Sequence, residues 1–499
     1  MRIKRSPSLL DKRNKQPPRK HNTMQLHPTL KWLCAIPLAL MPALAQADDK
    51  PVKVYILSGQ SNMVGIGQVG PMGASRMNTH VSDEKDAEAG AMLSIFRGEY
   101  DPAADYDTME PVETHHVRLG YWPHTGFDGI DGPSVSIARA FIRIDRTGEF
   151  SFRTTSNSFM EVNGEVIYRS VEGEDEDVSK RIVLEPGTHP IKVTFLGNAR
   201  SNLSHSIWDV PGTLTTLVKE QGKFPYLLDE DGEWRSRDDV WYRGVVTAGA
   251  NKWLAPGCGA NDGQIGPELG FGHMVGNHHD EPVLILKTSQ GNRSLAWDFL
   301  PPGSQRFEVG DTVYAGYKDP KSSWPKGTDP EQGSWYAGKQ YDDCVSAAKE
   351  VLANFDESFP HWAGRGFEIA GFGWFQGHKD TGSDVHANRY EQNLVNLIKS
   401  LRQDFDAPDA PFVVAVGCGN EGREGNGLVI AEAQLAVCGS SGKYPDFKDN
   451  VITVETRDYF PKAEDSPRSQ GFHYHQNAGT YMQIGEAMGR GMVELLKGQ

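Results

Sequence analysis

Five short segments with almost no polar alternation constrain the fold of this chain most. Residues 51–58 read PVKVYILS, 282–288 PVLILKT, 367–375 FEIAGFGWF, 411–417 PFVVAVG and 451–454 VITV. A strand with one face in water alternates apolar and polar residues, whereas one that is apolar throughout is covered on both faces. Helical spacing appears between several of these runs. Residues 341–355 carry Val345, Ala348, Val351 and Leu352 on one face, and residues 390–405 carry Leu394, Leu397, Ile398 and Leu401. Alternating strands and helices predict an α/β domain, with a mostly parallel sheet between two helical layers. Such sheets place their sites at the carboxyl ends of the strands.

Residues 88–212 follow another pattern. Helical periodicity is weak there and short strand signals dominate: SIARAFIRI at 136–144, GEFSF at 148–152, FMEV at 159–162 and EVIY at 165–168. Asn163-Gly164 between two of them is a strong hairpin signal. The pattern repeats across Pro186-Gly187. The expected organisation is an antiparallel β-sandwich inserted at 88–212, splitting the α/β domain into 48–87 and 213–499.

The 499 residues carry a net charge of −15, but unevenly. Residues 1–47 hold nine basic residues and one acidic, so the remainder carries −23. That basic stretch runs into an apolar segment at 33–44 and then Ala45-Gln46-Ala47. The combination predicts a signal peptide over 1–47 and an exported, periplasmic or extracellular protein with no stable membrane span after cleavage. A surface that acidic repels phosphate backbones, which excludes nucleic acid as the expected partner. Four cysteines follow the signal, Cys258, Cys344, Cys418 and Cys438. An oxidising compartment permits disulfides between them, in any of three pairings.

The first strand runs directly into GQSNM at 59–63. A serine on a tight turn at a strand end exposes its hydroxyl, and small neighbours let backbone N–H groups approach a substrate. A serine nucleophile needs a base. GFHYHQNA at 471–478 offers His473 and His475 just before a final helical pattern, and GFGWFQGHKD at 371–380 leaves a strand with Gln376, His378 and Asp380. A rival chemistry is a zinc hydrolase. His473 and His475 would point the same way from an extended segment, with His378 as third ligand.

GQSNM, WFQGHKD at 374–380, GPELGFG at 266–272 and TSQGNRSL at 288–295 occur in an order that resembles the sialate O-acetylesterase-like carbohydrate esterases of the SGNH hydrolase superfamily. The resemblance covers residues 50–75 and 216–499. It implies a three-layer α/β/α fold, removal of O-acetyl groups from carbohydrate, and no metal or other cofactor. It also implies Ser61 as nucleophile, and the N–H groups of Ser61 and Gly291 with the Gln376 side chain as oxyanion donors. Gln60, Asn62, Asn292 and His378 would meet the substrate. The family's final block reads D-x-x-H, but Gln470 stands three residues before His473 and Phe472 three before His475. The base is therefore His473 or His475, and Asp465, Glu464 and Asp380 are the candidate acids, with a Ser–His dyad as the alternative. His378 stands where the family usually has Glu. The inserted region resembles the protective-antigen-type β-sandwich that often accompanies carbohydrate enzymes. The other class left open is a glycan-binding protein on an inactive esterase scaffold.

Overall fold

The computed structural model describes residues 50–73, 80–81, 90–117, 132–144, 147–154, 157–173, 177–196, 204–247, 249–417 and 422–498. The expected signal peptide, Cys418 and the boundary at 87/88 lie outside them.

Among the described residues one sheet of seven strands organises the chain. In chain order they are β1 (Val52–Gly59), β2 (Val240–Gly244), β3 (Asn251–Trp253), β4 (Val283–Ser289), β5 (Phe367–Phe375), β6 (Phe412–Val416) and β7 (Val451–Glu455). Their spatial order is β3-β2-β4-β1-β5-β6-β7. All neighbours pair in parallel except β2 with β3, where Trp241 lies opposite Trp253. The five apolar runs of the sequence are five of these strands, and all of β4 and β6 is buried.

Two helical layers cover the sheet. The helices are α1 (Pro267–Gly276), α2 (Lys339–Ala353), α3 (Asp384–Asp404), α4 (Gly425–Ala436) and α5 (Ala478–Gly498). One face buries Val54, Ile56, Leu284, Leu286, Phe372 and Val414 against Cys344, Ala348, Tyr390, Leu394, Leu397 and Ile430 of α2, α3 and α4. The other buries Tyr55, Leu57, Ile285 and Val413 against Leu269, Phe271, Ile484, Met488 and Met492 of α1 and α5. Successive strand residues serve opposite layers, as the pleat dictates. The glycines of 266–272 let α1 approach α5 closely. A Cβ on Gly270 would lie 2.6 Å from Met482 O, and one on Gly485 2.1 Å from Pro267 O.

Two antiparallel sheets lie between β1 and β2 in the chain. The larger is built on Ser134–Ile144, flanked by Gly187–Leu196 and Ala91–Arg97, and the smaller on Gly148–Arg153 between Arg181–Leu184 and Ser204–Ile207. They share one core, with Ile142, Met160, Ile191 and Val193 meeting Phe150, Phe152 and Ile207. The predicted hairpin forms: Val162 pairs Glu165 across Asn163 and Gly164, both at positive φ. These sheets reach further back than position 88. Met72–Gly73 pairs with Ser206 and Ile207, and His80–Val81 with Phe141 and Ile142. Two-residue strands carry no period to read. The Lys50–Gln499 part of the chain forms one compact unit. The two ends of the insertion are stapled together, since Val69 O accepts both the N–H and the hydroxyl of Thr215, each at 2.9 Å. Cys258, Cys344 and Cys438 are free thiols, so none of them takes part in the disulfides that an exported chain permits. Cys258 and Cys344 are buried, which makes them small core side chains. Among the described residues no helix is long and apolar enough to cross a membrane.

Candidate active site

Three strand ends and the start of α5 build the site. β1 ends at Gly59, whose φ of +151° and close approach to β5 exclude a side chain, because a Cβ would lie 2.1 Å from Phe375 O. Ser61 opens a single helical turn, Ser61–Val64, closed by Val64 N–H to Gln60 O and Gly65 N–H to Ser61 O, each at 3.0 Å. β4 ends beside it, where Gln290 N–H donates to Gly59 O at 3.1 Å. That bond brings Gly291 against the serine: a Cβ on Gly291 would sit 3.7 Å from Ser61 Cβ. Among the described residues neither the Ser61 N–H nor the Gly291 N–H donates to another group.

His473 arrives from the other end of the chain. Its Nε2 lies 2.8 Å from Ser61 Oγ. The backbone delivering it is unusual: His473, Tyr474, His475 and Gln476 have φ of 55°, 50°, 52° and 62°. Four consecutive residues in the left-handed region are sterically costly for L-residues, and such strain clusters at functional sites. The turn is anchored on both sides. Tyr474 is buried among Phe375, Phe460 and Tyr481, and Gln476 Oε1 accepts from Gln68 Nε2 at 2.9 Å. Burial, and then the neighbouring His378, lower the His473 pKa to about 4, so its ring is neutral at ordinary pH. Phe472, 42% exposed, packs edge-on against the His473 ring at 4.7 Å and reaches His378 at 6.2 Å.

Among the described residues no carboxylate is hydrogen-bonded to His473, and none perturbs its charge. Asp465 is exposed and engaged through its backbone, its N–H donating to Lys462 O at 3.2 Å and its carbonyl accepting from Asn477 Nδ2 at 2.9 Å. Glu464 pairs loosely with Lys462 at 3.4 Å. Asp380 is fully buried and elsewhere engaged. Its carboxylate accepts from Leu295 N at 2.8 Å, Ala296 N at 2.9 Å and Gln376 Nε2 at 2.7 Å. It therefore clips the loop after β4, which carries Gly291, to the loop after β5.

Gln376 is the other half of that clip. Its Nε2 has two hydrogens and three acceptors in reach: Asp380 Oδ2, Arg293 O at 3.0 Å and Gln60 Oε1 at 3.1 Å. Its Oε1 accepts from Tyr390 OH at 2.9 Å and its carbonyl from Gln434 Nε2 at 2.8 Å. Its amide is thus committed to protein partners rather than directed at an oxyanion. Gln60 is 2% exposed and its Oε1 also accepts from Lys379 N at 3.1 Å. Asn62 is equally buried and accepts from Tyr481 OH at 3.1 Å. Of the four residues that the resemblance turned toward the substrate, Asn292 and His378 alone reach solvent, and Asn292 sits at φ 56°.

The zinc alternative is corrected by the same turn. His473 and His475 were expected on an extended segment, but the backbone there is left-handed. His475 is buried beside Phe460, and its Nδ1 accepts from Gln470 N at 3.0 Å. Among the described residues no three His, Cys, Asp or Glu side chains converge as metal ligands. Tyr390 and Gln434 were missed by sequence reasoning, because buried polar residues inside amphipathic helices look like ordinary polar positions. The buried state of Gln434, which also accepts from Gly417 N at 2.9 Å, is a tertiary fact.

A parallel α/β sheet with a Ser–His pair at the carboxyl ends of its strands defines the hydrolase class of ester-cleaving folds. Residues 257–494, a little under half of the chain, match the family described as carbohydrate esterase, sialic acid-specific acetylesterase. Residues 257–494 are thus similar to the sialate O-acetylesterase-like carbohydrate esterases, which are carbohydrate O-acetylesterases by class. No curated protein matches the chain in sequence. Among solved structures it is similar to a carbohydrate acetylesterase from Xanthomonas citri, with 11% identity over 73% of this chain and 72% of that one and a TM-score of 0.34. A protein from Arabidopsis thaliana matches at 15% identity over 52% and 87%, with a TM-score of 0.33. The structure titled NanS matches at 12% over 53% and 90%, with a TM-score of 0.32.

Proposed function

We propose that the chain is an exported serine esterase that removes O-acetyl groups from carbohydrate through an acetyl-enzyme. The observation that carries this reading is the 2.8 Å approach of Ser61 Oγ to His473 Nε2. With its proton on Nδ1, the neutral His473 ring accepts the Ser61 hydroxyl proton as Oγ attacks the acetyl carbonyl. The N–H groups of Ser61 and Gly291, which have no protein acceptor among the described residues, face the developing oxyanion. The imidazolium then returns its proton to the departing sugar oxygen. Water, deprotonated by the same ring, attacks the acetyl-enzyme, and acetate leaves. Gln376 and Asp380 position the Gly291 loop, while Asn292, His378 and Phe472 meet the sugar. This is a dyad: no acid backs His473 among the described residues.

The two-sheet region, read as a protective-antigen-type sandwich, presents the glycan to the site. The charge of −23 beyond residue 47 favours neutral acetylated sugars over polyanions. A binding-only scaffold has no need of a Ser–His bond held by a strained turn. The test is acetate release from acetylated xylan, acetylated sialic acids and p-nitrophenyl acetate, by wild type and Ser61→Ala. Loss of turnover in the variant is expected on every substrate, and equal turnover in both sinks the serine mechanism.

A further inference from the structure

β4 carries one charged residue in an otherwise apolar run, Lys287, and the strand lies between β1 and β2 in the sheet. Its side chain is 0% exposed, and so is that of Glu268 in the first turn of α1, 2.7 Å away. A buried ion pair adds little stability of its own, because desolvation offsets the attraction; what it can supply is a defined geometry. Here the geometry is specific. Lys287 Nζ has three donors and three acceptors: Glu268 Oε2 at 2.7 Å, Val64 O at 2.8 Å and Cys258 O at 3.3 Å. Glu268 Oε1 accepts from Gly266 N at 2.7 Å. No proton of the ammonium is left for a substrate, so the pair takes no direct part in chemistry.

Val64 ends the turn that Ser61 opens. A turn of four residues with two internal hydrogen bonds does not hold itself, since the first turn of a helix is unfavourable alone. Its last carbonyl needs a donor, and the ammonium provides one from below. The exit of the turn is held by the same assembly, because a Cβ on Gly65 would lie 2.3 Å from Gly266 Cα, next to the N–H that Glu268 accepts. The ammonium thus ties β4, α1, the Cys258 loop and the Ser61 turn at one point. We propose that Lys287, held by Glu268, is a positioning residue that fixes the Ser61 turn against the strand leading to Gly291. This rests on the reading of Ser61 as nucleophile.

The test separates positioning from folding. The double variant Lys287→Met/Glu268→Met removes both charges and keeps most of the packing volume, a change that commonly leaves stability intact or raises it. Here the variant is expected to fold with a lowered melting temperature, since Val64 O, Cys258 O and Gly266 N–H lose their partners. On p-nitrophenyl acetate, kcat is expected to fall at least about ten-fold with KM within about two-fold, as misplacement of a reacting group predicts. Stoichiometric labelling of Ser61 by a serine-reactive phosphonate is expected to slow in parallel. A folded double variant with wild-type kcat, or with its loss confined to KM, overturns the proposal. Glu268→Gln covers the case of a double variant that does not fold. It loosens the clamp without emptying the space, and a kcat loss of about two- to five-fold at unchanged KM is expected; wild-type kcat overturns the proposal. Ser61→Ala runs alongside. Turnover persisting there overturns the nucleophile reading itself, whatever the Lys287 variants do.

Discussion

Replacing Asp380 by Asn tests whether the loop carrying Gly291 is set by a carboxylate rather than by packing. Asp380 is 0% exposed, and burial raises its pKa from 3.8 to about 6 despite three donors, with nearby Asp298 adding to the rise. That rise costs the folded anion about 3 kcal/mol, at about 1.36 kcal/mol per pH unit. The sign follows from linkage. A raised folded pKa leaves stability full below the unfolded value of 3.8 and lost as pH rises through about 6. Asparagine is the near-isostere of the neutral acid and does not titrate. Its second amide hydrogen, set against the N–H of Leu295 or Ala296, costs about 1–2 kcal/mol. At pH 7.5 the variant should therefore be more stable than wild type by about 1–2 kcal/mol, and near pH 4 the order should reverse, with the variant about 1 kcal/mol less stable.

Activity should move the other way. A carboxylate accepts from Leu295, Ala296 and Gln376 together, but a carboxamide has one oxygen. The loop is then free to shift, and a displacement approaching 1 Å at Gly291 costs about 10²-fold in kcat. Wild type itself should lose kcat below about pH 6 as Asp380 protonates, while His473 titrates near 4. Thermal melts at pH 4 and 7.5 and a kcat–pH profile on p-nitrophenyl acetate measure all of this. A variant that melts well below wild type at pH 7.5, or that keeps an acid limb near pH 6, refutes the reasoning.

Four further outcomes are expected. His473→Ala should lose about 10³-fold or more in kcat, comparable to Ser61→Ala, because the two act as a unit. His475→Ala should instead lower the melting temperature, since it unpairs the Gln470 N–H, and keep most of its turnover in the same acetate-release assay. Gly291→Ala meets Ser61 Cβ at an ordinary 3.7 Å and should fold with an unchanged melting temperature, but its methyl group crowds the oxyanion position and kcat should drop about 10²-fold. Gly59→Ala, with a Cβ 2.1 Å from Phe375 O, should fail to give soluble folded protein, checked by circular dichroism.

The strands were legible in the sequence because a doubly covered strand shows itself as a run such as PVKVYILS, whatever surrounds it. The serine turn was legible only in company: GQSNM alone reads equally as a polar capping loop, and the His-bearing and Gln-bearing blocks further along single out Ser61. What could not be read were relations set by tertiary contact. Gln60 and Asn62 flank Ser61 in sequence and look like substrate ligands, yet successive residues of a short turn point in different directions, and both are buried against Gln376 and Tyr481. Asp380 looks like a catalytic acid by residue type, and only the approach of Leu295 and Ala296 turns it into a clip. Lys287 reads as an interruption of a strand until Glu268 is placed beside it.

The missing D-x-x-H acid and the left-handed turn are two sides of one arrangement. In a triad the acid holds the imidazole in one tautomer and orientation and stabilises the imidazolium. Here Gln470 occupies the acid's position and gives its backbone N–H to His475, not His473. Orientation comes instead from the backbone: four left-handed residues, a buried Tyr474 and the edge-on Phe472 fix the ring that meets Ser61. The second task has no substitute. With burial and then His378 raising the cost of charge, and no carboxylate beside it among the described residues, His473 sits at about 4 rather than above 6.5. A base that weak gains little proton affinity as the serine attacks, so the chemistry should be slower than in a triad, and the acid limb should be set by Asp380 rather than by His473. On the proposed mechanism, such a dyad would rely more heavily on the precise placement of its oxyanion loop and nucleophile turn, and two buried charged clamps, Asp380 and Lys287–Glu268, converge on the residues around Ser61.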